Sequence, residues 1–193
     1  GMTSHDAVMA VRRMLGVRRV GHTGTLDPGA AGVLPIVVGK ATRLVQWMQK
    51  ADKSYRAEMT LGVETDTLDA AGKTTAMNTD FAIPVSRLVD QMHLQLGHIL
   101  QTPPMVSSVK VDGERLYKAA LRGDEVERPK RAVRIDHIEI IKIFPHGTLD
   151  LNFGARVLFA VTCSKGTYIR SLVADIGRAL GCGAHLSFLV RTR

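Results

Sequence analysis

Between Gly21 and Gly32, four glycines and one proline surround a single carboxylate, Asp27, and a single imidazole, His22. Glycines let another backbone approach closely and offer amide groups to anions, and Pro28 biases Asp27 toward an extended conformation. The loop thus holds an acid on a stiff point in an open stretch, where an ionised carboxylate can act as a nucleophile or as a charge partner. Asp-Pro-Gly is also a frequent turn whose aspartate only accepts from nearby amides, and a loop histidine is by default a hydrogen-bonded one. Residue types alone therefore leave Asp27 and His22 open. The common nucleotide motifs fail: position 34 is leucine and position 41 is alanine around Gly39-Lys40, and no G-x-G-x-x-G occurs. Two cysteines, Cys163 and Cys182, with neither C-x-x-C nor H-E-x-x-H, recommend no disulfide scaffold and no metal site.

The elements around this loop follow from periodicity and punctuation. Ser4 is placed to cap a helix over residues 5–15, with Val8, Val11 and Leu15 on one face and Gly16 as its stop. Residues 33–38 read as a short buried strand and 41–50 as a helix. Residues 53–61 alternate, with Tyr55, Ala57, Met59 and Leu61 on one face, as a half-buried strand does. An acidic turn region spans 64–72, and Pro84 reads as the first residue of a helix running to about Leu96. After Pro103-Pro104 a strand over 106–111 meets Asp112-Gly113, and a brief helix over 116–122 is closed by Gly123. Residues 132–144 and 156–163 are the most β-branched and aromatic stretches, and 168–180 returns to helical spacing. Strands with interspersed helices and a hairpin predict a mixed, largely antiparallel α/β (α+β) sheet in one domain.

At 193 residues and 45% hydrophobic content the chain can bury a sizeable core. Neither a run of 18 apolar residues nor a basic start followed by an apolar stretch occurs, so no membrane partner and no secretory route are expected. A reducing, cytoplasmic setting fits the two cysteines. The net charge of +8 is unevenly spread: residues 1–50 carry seven basic and two acidic side chains and residues 151–193 six and one, whereas 51–100 carry four and seven. Concentrated positive potential at both ends of the chain suits a polyanion, although a solvated basic surface without a partner has the same composition.

The string Gly21-His22-Thr23-Gly24-Thr25-Leu26-Asp27-Pro28, continuing through Gly32-Val33-Leu34-Pro35 to Gly39-Lys40-Ala41-Thr42, resembles the catalytic motif of the TruB family of tRNA pseudouridine synthases. The resemblance continues in the Asp52-Lys53-Ser54-Tyr55-Arg56-Ala57 block and in Leu61-Gly62 with Thr65-Asp66-Thr67 and Asp69. Further blocks are Pro103-Pro104-Met105 with Ser108-Val109-Lys110, the stretch from Cys163 to Arg170, and that from Gly181 to Leu186. They keep the family's order over nearly the whole chain. The resemblance implies the pseudouridine synthase fold, with an RNA-binding cleft across the sheet, acting on the T-loop uridine numbered 55. Family members usually begin with a strand carrying a Lys-Pro pair before Gly-Met-Thr-Ser and continue into a small C-terminal PUA domain. The resemblance therefore implies that residues 1–193 correspond to the catalytic core, with neither of those pieces within them.

By the same resemblance Asp27 is the catalytic aspartate, Arg170 the arginine that pairs with it, and Tyr55 the tyrosine that stacks on the flipped base. Leu189 lines the uracil pocket, His22 fills the space the extruded uridine leaves, and Lys110 contacts RNA within a mobile clamping segment over about 105–134. Core packing accounts equally well for Tyr55 and Leu189. The expected partner is the tRNA T-arm stem-loop, the intact protein is expected to be a monomer, and an isomerisation without net oxidation implies no cofactor. Two other readings are a non-catalytic RNA-binding or tRNA-folding module, and a glycosidase pairing Asp27 with Asp66 or Asp69. If the basic segments neutralise phosphates, stem-loop affinity falls steeply with salt, and Lys110→Ala lowers the slope of log K against log salt by up to about one. Binding titrations across a salt series check this, and a flat slope for the parent chain contradicts it.

Overall fold

The computed structural model describes residues 2–111, 113–124 and 126–193. Its centre is a six-stranded sheet built from β1 (Ala31–Gly32), β2 (Lys53–Leu61), β3 (Gly97–Gln101), β4 (Arg131–Phe144), β5 (Arg156–Cys163) and β6 (Ala184–Arg191). The strands lie in the order β1-β6-β2-β5-β4-β3, antiparallel except for the short β1–β6 pair, as the expected mixed sheet requires. Helices α1 (Ser4–Leu15), α2 (Val45–Met48), α3 (Val85–His93), α4 (Leu116–Arg122) and α5 (Ile169–Leu180) flank it. Small two-stranded pairs join Val20–His22 to Ile36–Val38, Val63–Thr65 to Thr74–Met77, and Lys110–Val111 to Glu114–Arg115. Among the described residues no helix is long and apolar enough to cross a membrane.

Strands β2 and β5 are adjacent and alternate as their sequences dictate. Ala57, Met59 and Leu61 of β2 and Val157, Phe159, Val161 and Cys163 of β5 are buried on the face that α5 covers with Leu172, Val173, Ile176 and Leu180. Tyr55, at the open end of the same β2 face, is only half-buried. The contact between α5 and β6 is close because residue 177 is glycine: a Cβ there would lie 2.4 Å from the Ala184 nitrogen.

Several boundaries differ from the sequence expectation for local reasons. Thr3, not Ser4, caps α1, because Asp6 closes a reciprocal box with it: the Asp6 amide donates to Thr3 Oγ1 and the Thr3 amide to Asp6 Oδ2. The expected strand over 33–38 is limited to Ile36–Val38, since Val33 is 47% exposed and Pro35 has no amide to pair. The expected helix over 41–50 is instead a 3₁₀ turn, Gly39–Leu44, followed by the single turn of α2, neither with a side-chain cap. Pro84 keeps an extended ψ and stands just before α3, which stops at His93. Tyr168 likewise stands outside α5. Only Lys110–Val111 of the expected strand over 106–111 pairs, because the Ser107 amide closes a turn onto the Met105 carbonyl; Asp112 lies outside the described residues.

Helix propensity favours alanine over glycine by about 1 kcal/mol, so Gly177→Ala would stabilise an isolated α5. Backbone of Gly183 and Ala184 cannot yield as a flexible side chain would, and overpacking of this kind typically costs about 1–3 kcal/mol. Gly177→Ala is therefore expected to lower the denaturant midpoint; a raised midpoint would show that α5 and β6 are not in register contact there.

Candidate functional site

The loop from Gly21 to Gly32 folds over one end of the sheet and is pinned from α1. Because Ser4 is free of capping, its buried hydroxyl accepts from the Leu26 amide at 2.9 Å, one residue before Asp27. The Asp27 carbonyl accepts from the Ala30 amide at 2.9 Å, which makes the Asp-Pro-Gly turn. That hydrogen bond uses the main chain and leaves the carboxylate free for another partner.

The partner is Arg170 on the first turn of α5, 143 residues away in sequence. Its Nη2 donates to Asp27 Oδ1 at 3.1 Å, and Nε lies 2.9 Å from Oδ2 as an ion-pair contact, without the alignment of a hydrogen bond. The guanidinium is otherwise satisfied by main-chain carbonyls: Nη1 donates to Thr67 at 3.0 Å and Nη2 to Val106 at 2.9 Å. Asp69 Oδ2 sits 3.7 Å from Nη1. The Arg170 side chain is 4% exposed and that of Asp27 37%, so the cation is enclosed while the carboxylate reaches solvent. A cation taken out of water needs this full set of acceptors.

Local contacts hold Arg170 in place. The buried Gln101 side chain faces the Tyr168 main chain, donating from Nε2 to its carbonyl at 3.0 Å and accepting from its amide at 2.8 Å. Ser171 Oγ donates to the Thr102 carbonyl at 2.8 Å. The start of α5 is thereby fastened to the end of β3. Neither residue is identifiable from sequence, where Gln101 and Ser171 carry no signal beyond their neighbours.

Asp27 opens into a cavity of about 230 Å³ whose walls include Ala70, Val106, Leu186, Phe188 and Leu189, with Arg170 and Asp69 also lining it. Asp69 is oriented by its own segment, since Oδ1 accepts from Thr67 Oγ1 at 2.6 Å and from the Ala71 amide at 3.1 Å. Asp66 lies apart, accepting from the Lys73 amide across the turn, and does not line the cavity. Asp27 and Asp69 thus face one guanidinium; Asp66 joins neither. The acidic turn also holds Leu68 at a φ of 63°, a left-handed conformation disfavoured for a branched side chain, with its carbonyl accepting from the Leu186 amide of β6.

The remaining expected residues are distributed around this centre. Leu189 is buried and lines the cavity. Tyr55 stands near it on β2 but outside the lining; burial raises its phenol above the ordinary value, Cys163 adds to the rise, and Arg191 opposes it. Burial also pushes the neighbouring Cys163 thiol up to about 11, so it stays neutral at pH 7. His22 is half-buried outside the lining, and its Nδ1 accepts from the Gly24 amide at 3.3 Å. Lys110 is exposed on the small pair after Pro104, away from the cavity walls. Among the described residues no group of three His, Cys, Asp or Glu side chains is gathered as a metal site would be.

Residues 12–169 match the family described as TruB family pseudouridylate synthase (N terminal domain). The tRNA pseudouridine synthase B of Streptococcus pyogenes serotype M2 (strain MGAS10270) is 50% identical over 197 residues, covering all of this chain and 65% of the relative. That of Alkaliphilus oremlandii (strain OhILAs) is 48% identical over 192 residues, covering all of this chain and 61% of the relative. The chain therefore spans less than two thirds of the length of these curated relatives. Among solved structures, a Cbf5-Nop10-Gar1 complex superposes on the whole chain and 45% of its counterpart with a TM-score of 0.72 at 36% identity. An H/ACA RNP bound to a substrate RNA containing 2'-deoxyuridine does so on the whole chain and 44% of its counterpart, with a TM-score of 0.69 at 33% identity. These structures share the expected sheet and fold. With the family match extending from α1 into the first residue of α5, the chain belongs to the TruB family of pseudouridylate synthases.

Proposed function

We propose that this chain is the catalytic domain of a tRNA pseudouridine synthase, isomerising the T-loop uridine at position 55. The observation that carries the reading is the Asp27 carboxylate, gripped by the enclosed Arg170 guanidinium at the mouth of a largely apolar cavity. The overall change breaks the bond from uracil N1 to C1′, turns the base and joins its C5 to C1′. The C5 proton is lost and N1 gains a proton, so the product has the substrate's composition. Neither water nor an electron acceptor is consumed, and no cofactor is required.

In this reading Asp27 supplies an anion to the sugar or the base, and the pairing with Arg170 fixes its direction. The apolar walls, Leu189 among them, hold the uracil while it turns. Tyr55, retaining its proton at neutral pH, offers a ring to the base and a hydroxyl for proton relay. A T-loop uridine is inaccessible until it is extruded, and unstacking it costs about a few kcal/mol, part of which His22 offsets by filling the space vacated. The exposed Lys110 and the segment over about 105–134 close on the T-arm stem-loop. The protein acts on tRNA as a cytoplasmic monomer.

Two substitutions test the roles, read as single-turnover formation of pseudouridine in a T-arm stem-loop. Asp27→Asn keeps the shape but removes the anion, and is expected to abolish turnover while stem-loop affinity stays within several-fold; mass spectrometry excludes deamidation. Substantial turnover by the intact asparagine variant contradicts the assignment. Arg170→Lys retains one charge but loses the planar fork, and a displaced reacting group can cost about 10²-fold in rate. Near-parental activity would show that Arg170 does not hold Asp27 for reaction.

A further inference from the structure

A second enclosed arginine, Arg191, holds the same loop from the other side. It is 4% exposed at the end of β6, two residues beyond Leu189, and its burial depends on a break in strand periodicity. The pairing of β6 with β2 steps from Leu186 opposite Met59 to Phe188 opposite Glu58, so Ser187 is an extra residue. Ser187 Oγ donates to the Glu58 carbonyl at 3.1 Å and to Glu58 Oε1 at 3.0 Å, which fixes the bulge. Strict alternation from the buried Leu186 would have turned Phe188 and Val190 inward. The bulge instead turns Leu189 and Arg191 inward, as such insertions do beside functional sites.

Once inside, Arg191 makes contacts at both ends of the segment that carries Asp27. Its Nη2 donates to the Gly24 carbonyl at 3.2 Å and its Nε to the Val33 carbonyl at 2.7 Å. Its own carbonyl accepts from the Val33 amide at 2.8 Å. Gly32 makes this approach possible: at a φ of 111° it runs against the Arg191 backbone, and a Cβ there would lie 2.0 Å from the Arg191 oxygen. Arg191 is also the cross-strand partner of Tyr55. Burial and the nearby Cys163 and Asp27 raise the Tyr55 phenol, and the Arg191 charge pulls the other way. Among the described residues no carboxylate lies within ion-pair distance of Arg191, so its charge is enclosed against carbonyls. Enclosing a cation without a carboxylate is expensive, and a neutral side chain could close a merely structural loop.

We propose that Arg191 is a positioning residue for the isomerisation, fixing both ends of the Asp27 loop so that the carboxylate faces the cavity in one geometry. The inference rests on the reading of Asp27 as the reacting carboxylate. Arg170 then sets the direction of the carboxylate, and Arg191 sets where its backbone stands.

The test compares Arg191→Lys, which keeps the charge and stem but not the two-pronged reach, with Arg191→Met, which keeps only the stem. Amide hydrogen exchange at Leu26, Ala30 and Val33 reports the loop without any need for activity, with β5 and α5 as internal references. Single-turnover rate and stem-loop Kd report function per folded molecule. The expected result is loop exchange at least about tenfold faster in both variants with the references unchanged, a rate lower by about 10²-fold, and Kd within threefold. If Arg191→Met does not fold, Arg191→Lys carries the comparison. Parental loop exchange in Arg191→Lys overturns the proposal, as does accelerated exchange with an intact rate. If the parent chain itself makes no pseudouridine, the isomerase reading fails, and loop exchange alone decides whether Arg191 fixes the loop.

Discussion

A guanidinium withdrawn from water must find acceptors for its donors, and Arg170 finds them on three stretches of chain far apart in sequence. Asp27 comes from the glycine-rich loop, the Thr67 carbonyl from the acidic turn, and the Val106 carbonyl from the segment after Pro104. None of these stretches has regular structure of its own at the point of contact. The requirement to satisfy Arg170 therefore gathers them over one end of the sheet and leaves the cavity between them. The six strands and α5 form the rigid part of this arrangement, and Gln101 and Ser171 transmit that rigidity to the first turn of α5. The asymmetry of the pair matters for chemistry, because the enclosed arginine gives the more exposed aspartate a fixed direction without covering it.

Much of the framework was legible because it obeys simple periods. Alternation marked β2, β-branched density marked β4 and β5, and a glycine stop marked α4, whose bounds match the expectation. Other features depend on competition that a linear pattern does not record. Ser4 has the chemistry of a cap, yet Thr3 closes the box with Asp6 and Ser4 is left to hold Leu26. The apolar spacing of 41–50 suggested a continuous helix, but Gly39 stands at a left-handed φ and the chain turns as 3₁₀ before a single α-helical turn. Strand β6 carried no clear signal because its bulge at Ser187 reverses the inside-outside order midway. For the site, the glycine-rich loop identified Asp27 as unusual, but its partner could come only from family resemblance, since no local spacing links residues 143 apart.

The cavity imposes a second constraint. Its walls are mainly aliphatic and aromatic side chains, with the acidic groups Asp27 and Asp69 both facing Arg170. A glycosidase would need a second carboxyl set to protonate a leaving group or activate water from across the substrate. Asp69 instead has Oδ1 engaged by Thr67 and Ala71, with Oδ2 toward the arginine, and Asp66 is turned away. The proposed chemistry needs one anion beside a base held by apolar contacts, since a base that leaves the sugar without leaving the pocket can return through a different atom.

The fate of the substrate uracil separates the proposed isomerisation from hydrolysis and from simple binding. Incubating the chain with a T-arm stem-loop, digesting the RNA to nucleosides and separating uridine, pseudouridine and free uracil measures that fate directly. Isomerisation predicts that the lost uridine reappears as pseudouridine in equal amount, with no free uracil and no change in RNA mass. Release of uracil with an abasic site would contradict it in favour of hydrolysis, and unchanged uridine in fully bound RNA would contradict it in favour of a binding module.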